Sequence, residues 1–79
     1  MNDRLKQALE ELRNELKRLG PENPDLQVLQ EKTVRALEAG EHLPLVEELR
    51  DAADTFEVRH PQLTALINNV LNALSGLGI

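Results

Sequence analysis

Glu57 and His60 are the side chains best suited to chemistry in this chain. Their Glu-x-x-His spacing lets a helix present a carboxylate and an imidazole to one metal ion, as in di-iron helical bundles. A complete site of that kind needs two such pairs and two further glutamates. One chain cannot supply it, whereas a symmetric dimer could, with Glu31, Glu38, Glu47 or Glu48 as the extra carboxylates. Pro61 follows His60 directly and pushes it away from helical geometry, so the imidazole belongs at a helix end and not mid-helix. The same pair also has a purely structural reading. His60 can sit near the C-terminal carbonyls of one helix while Glu57 approaches the positive N-terminus of the next. The spacing predicts a capped joint, with metal binding as the alternative, and implies no cofactor.

The remaining inventory is poor in reactive groups. His42 lies between Glu38, Glu41 and a helix-opening Pro44, where a helix-terminal or exposed role is expected. Thr33, Thr55, Thr64 and Ser75 sit in no nucleophile motif. Gly76 and Gly78 end a helix instead of opening one, so they do not form a phosphate loop. Cysteine is absent, which removes disulfides, thiolate zinc sites and nucleophilic thiols together. No enzymatic activity is expected from this set.

The elements that must carry these residues are helical. Residues 60–79, HPQLTALINNVLNALSGLGI, contain no Asp, Glu, Lys or Arg, although the preceding 59 residues hold all 14 acids and 9 bases. At helical pitch Leu63, Leu66, Ile67, Val70, Leu71, Leu74 and Leu77 gather on one face, widened by Ala65 and Ala73. The opposite face is Gln62, Thr64, Asn68, Asn69, Asn72 and Ser75. A solvent-facing surface normally uses charged residues, so this second face is expected to be at least partly covered and the helix to be central. Buried Asn at a helix seam fixes register and oligomeric state. The competing reading of Asn68, Asn69 and Asn72 is an exposed but uncharged face. A membrane span is disfavoured by three Asn, a Gln, Pro61 and two late glycines.

Upstream, Asn2 or Asp3 can cap a first helix in which Leu5, Leu9, Leu12, Leu16 and Leu19 repeat at four, three, four, three. That is a seam of coiled-coil type, with Ala8 beside it. Glu10 with Arg13 and Glu15 with Arg18 read as pairs on a solvated outer face. Gly20-Pro21 stops the helix. Asn23-Pro24-Asp25 restarts one, with Leu26, Val28, Leu29, Val34, Ala36 and Leu37 as its less regular apolar set and Gly40 as its end. Pro44 opens a third helix whose Leu45, Val46, Leu49, Ala52, Ala53 and Phe56 share a face. No segment alternates as a strand does. The expected fold is all-α, one domain of about four helices over about 3–19, 24–39, 44–58 and 61–76 in a hairpin or bundle arrangement.

Composition limits the partners. A net charge of -5 opposes nucleic-acid binding, which draws on Lys and Arg for phosphates and on aromatics for stacking, and Phe56 is the only aromatic residue. The polar start MNDR runs into a charged helix without an apolar signal core, so a cytoplasmic protein is expected.

Phe56-Glu57, His60-Pro61, Leu63 and the ending from Leu74 to Leu77-Gly78-Ile79 resemble a family of small bacterial proteins known as domain of unknown function 4404. The family pattern is a leucine-rich first helix, a variable middle, then Phe-Glu-x-x-His-Pro-x-Leu and a helix ending near Met-Gly-Ile. Leu77 stands where the family usually has methionine, a volume-conserving change. The resemblance implies a bacterial cytoplasmic helical protein and no activity.

A chain of 79 residues buries only about 60% of its unfolded surface, so self-association is the expected support. The apolar stripes of the first and fourth helices together exceed what so small a chain is expected to cover. The sequence therefore predicts a homodimer with Leu5, Leu9, Leu12, Leu16, Leu63, Leu66, Ile67, Val70 and Leu74 at the interface. Function is expected in protein–protein contact, with itself or another protein. The alternatives are a dimeric metal-binding protein built on Glu57 and His60, and peripheral membrane attachment through the last helix. The last is disfavoured because that helix carries no Lys or Arg.

Overall fold

A computed structural model describes residues 3–20 and 24–76. The expected caps Asn2 and Asn23, the stop Pro21, and Leu77, Gly78 and Ile79 lie outside the described residues. Four helices occupy the described chain: α1 (Asp3–Leu19), α2 (Pro24–Ala39), α3 (Leu43–Phe56) and α4 (Pro61–Ser75). The fold is all-α, with no strand among the described residues.

Local chemistry sets the helix ends. Asp3 stands in the first turn of α1 and Lys17 and Arg18 in its last, each matching the helix dipole. Gly20 then takes φ +75° and its N–H donates to Leu16 O at 3.1 Å. Gly40 ends α2 in the same way, with φ +70° and its N–H on Ala36 O. Such left-handed geometry is open to glycine because it has no Cβ. Pro24 and Pro61 begin α2 and α4, where a missing N–H leaves no helical bond unmade.

The third helix differs from its expected span of 44–58. It begins at Leu43 and ends at Phe56, and residues 57–59 form a turn. Pro61 disfavours helical geometry at His60, so the chain unwinds ahead of it. The fourth helix likewise ends at Ser75, one residue before 76.

Each helix packs on its neighbours in chain order, and α4 closes the ring by packing on α1. Links of three or four residues make successive helices antiparallel. The fourth helix is therefore a corner of the bundle, in contact with α1 and α3, and not a central rod surrounded by the others. Its expected cover on all sides does not arise, because each of four helices in a ring keeps one side outward.

The core is aliphatic apart from Phe56. Leu5, Leu9, Leu12 and Leu16 of α1 are essentially solvent-free, as are Leu63, Ile67, Val70 and Leu74 of α4. These eight residues, expected at a surface between chains, fill the interior of one chain. Helix α1 packs on α2 and α4, and α4 on α1 and α3, so both apolar faces are covered within one chain. Leu66 is half-buried at the edge of this core.

In α2 the buried positions are Leu26, Leu29, Thr33 and Ala36, spaced three, four and three. The irregular apolar pattern becomes regular once Thr33 joins it. Its hydroxyl donates to Leu29 O at 2.7 Å, which satisfies the buried oxygen and admits a formally polar residue to the core. Val28, counted in the apolar set, is exposed. Lys32 reaches across to Glu48 of α3 at 3.4 Å.

Candidate functional site

The joint between α3 and α4 is built on His60. Its N–H donates to Phe56 O at 2.8 Å, extending the α3 ladder by one turn, and its carbonyl accepts the Thr64 N–H at 3.0 Å, opening α4. The Thr64 hydroxyl donates to the same carbonyl at 3.2 Å. His60 has φ -133° and ψ 69°, outside the helical region, as a residue before proline should be. Its side chain makes no capping hydrogen bond to α4. The ring instead lies half-buried against Phe56, whose own ring is in the core.

Glu57, which the metal alternative pairs with His60, is exposed. No group of three or more His, Cys, Asp or Glu side chains among the described residues of one chain is placed to hold a metal ion. Glu31, Glu38 and Glu47 are exposed and Glu48 pairs with Lys32, so the carboxylates proposed to complete a site do not converge on His60 within the chain.

A different acid approaches the joint. Glu15 is 7% exposed, and Arg18 binds it with two hydrogen bonds, Nε to Oε1 at 2.8 Å and Nη2 to Oε2 at 2.6 Å. Those hydrogen bonds hold the Glu15 carboxyl below the usual carboxylate range. Burial opposes them, while the charges of Arg18 and His60 assist. The guanidinium of Arg18 is raised in turn by Glu15. Glu15 does not belong to a solvated outer face, as its sequence pairing implied. It stands seven residues after Ala8, on the same flank of the leucine seam, and both are buried. That shared flank was the signal available in the sequence.

Glu11, Asn14, Glu15 and Arg18 of α1 and Gln62 and Leu66 of α4 line one open groove. A broader hollow on the outside of α2 is lined by Gln27, Gln30, Glu31, Val34, Arg35 and Glu38, all from a single helix, so it is a shallow surface and not a cleft. His42 stands at the start of α3, beside Gly40, Glu41, Leu43 and Pro44, and its Nδ1 is shielded without a protein partner.

The outward face of α4 remains. Pro61, Gln62, Ala65, Asn68, Asn69, Asn72, Ser75 and Gly76 are all exposed and none is ionisable. Asn68, Asn69 and Asn72 are therefore not buried within the chain, and Ala65 belongs to this face and not to the apolar one. The strip runs the length of a helix that contains no Asp, Glu, Lys or Arg. No helix among the described residues is long and apolar enough to cross a membrane.

No curated protein and no solved structure matches the chain. A family model does match, over residues 3–79, and its description is Domain of unknown function (DUF4404). The Phe56, Glu57, His60, Pro61 and Leu63 pattern thus sits within a match that also takes in the leucine seam of α1 and the variable middle, and the chain belongs to the DUF4404 family.

Proposed function

We propose that this protein is a cytoplasmic helical interaction module that acts as a homodimer and not as an enzyme. The observation that carries the reading is the outward strip of α4. Every charged residue of the chain lies in residues 1–59, leaving one full helix face exposed and uncharged. Surfaces that only meet water usually carry Glu, Lys and Arg, whereas charged residues are depleted at the centres of protein interfaces. The leucines of α1 are in the core and take no part in the contact.

Light scattering on the purified protein at tens of micromolar tests the reading. The expected mass is twice the 8.9 kDa chain mass. Asn68→Asp combined with Asn72→Asp places charge on the strip, and the expected result is a return to the monomer. A monodisperse wild-type monomer, or a double variant of unchanged dimeric mass, counts against it.

A further inference from the structure

We infer that the second copy docks with its own α4 antiparallel to the first, about a two-fold axis passing between Asn68 and Asn69. This arrangement rests on the dimeric reading above and adds the occupant's geometry. Charge selects the occupant. Each copy carries a net charge of -5, all of it outside α4, so two copies repel through their charged faces, whereas this strip lets them meet without like-charge contact. A basic partner would have no use for an uncharged face when acidic ones are available. An anionic membrane surface would select Lys and Arg, which α4 lacks.

The spacing selects the direction. Pro61, Ala65, Asn68 with Asn69, Asn72 and Gly76 recur at three and four along the exposed line, and their midpoint falls between the two central asparagines. An antiparallel pair centred there sets Asn68 of each copy opposite Asn69 of the other. A side-chain amide donates and accepts at once, so two amides can satisfy each other without any other group. Ala65 then falls opposite the longer Asn72, small against large, at both ends of the contact. Opposed helix dipoles favour the same direction.

The chain has no cysteine, so single-cysteine variants give clean cross-links. Ala65→Cys and Asn72→Cys are both at exposed positions, which leaves the core intact. Equal amounts are mixed, mildly oxidised, and the covalent dimers identified by intact mass, with helicity checked by circular dichroism. The expected product is the mixed Ala65→Cys/Asn72→Cys disulfide, with neither variant cross-linking efficiently alone. Efficient cross-linking of each variant with itself would show a parallel pair and overturn the inference while leaving the dimer. A dimeric mass without any cross-link would place the interface elsewhere and also overturn it. A monomeric mass would remove the dimeric reading and this inference together.

Discussion

The imidazole of His60 meets the ring of Phe56 edge to face, with centroids 5.7 Å apart and planes inclined at 61°. The two residues are also joined by the backbone bond from the His60 N–H to the Phe56 carbonyl. Ring contact and backbone bond together set the angle at which α4 leaves α3. Pairs of this geometry contribute about 0.5–1.5 kcal/mol beyond their buried area. His60→Ala is expected to lower stability by about 1 kcal/mol, read from the urea midpoint. A double-mutant cycle with Phe56→Leu isolates the contact, and a coupling energy near zero would show that the rings merely lie close.

The placement of the leucine seam is tested by a contrast. Leu9 is fully buried, and Leu9→Ala is expected to destabilise by about 2–5 kcal/mol, enough to unfold much of a small domain. Leu43 is 69% exposed, and Leu43→Ala should stay within about 0.5 kcal/mol of the parent. Thermal melts of both variants give the comparison. If Leu9→Ala kept full stability and changed only the oligomeric mass, the seam would be a surface.

Glu15 predicts a particular acid sensitivity. Its folded pKa lies below that of the unfolded chain, mainly through the Arg18 hydrogen bonds. The stability it contributes is present above the unfolded pKa and is lost as pH falls through the folded one. Melting temperature against pH should therefore fall less steeply on the acid side for Glu15→Gln than for the parent. Equal acid slopes would mean that other carboxylates dominate.

Association through an uncharged face of an acidic protein should respond to salt in one direction. Added salt screens the repulsion between two copies of charge -5, and the Debye length is about 10 Å at 0.1 M. Sedimentation at rising sodium chloride is expected to show tighter dimers. Weakening would point to attraction between opposite charges across the contact.

The metal alternative predicts bound metal, whereas a His60 that serves the joint through its edge-to-face contact with Phe56 needs none. Protein purified without a histidine tag should contain iron, manganese and zinc far below one equivalent per chain by elemental analysis. A stoichiometric metal lost in Glu57→Gln would reverse this assignment.

Much of the fold was legible because its signals are local. Gly20 and Gly40 end helices where the left-handed backbone favours a residue without Cβ, and Pro24 and Pro61 begin them where no N–H is needed. The seam of α1 at four and three, and the stripe of α4, state which faces leave water. The candidate site was less legible. Glu57 and His60 have the right spacing, yet spacing alone does not show that His60 would turn to Phe56. Glu15 looked like half of a surface pair, and its burial follows from where α4 lies.

Sequence by itself determined the four helices, most of their ends and most of each apolar face, because these depend on neighbours within one or two turns. What covers each face is a matter of contacts between residues far apart in the chain. Only the tertiary structure decided that Leu5, Leu9, Leu12 and Leu16 are buried within the same chain, where α1 packs on α2 and α4. It also decided that Thr33 enters the core and Ala65 leaves it. Periodicity names the side of a helix that must be buried and does not name its partner. Once the apolar faces of α1 and α4 are buried within the bundle, the face left to account for is the asparagine strip.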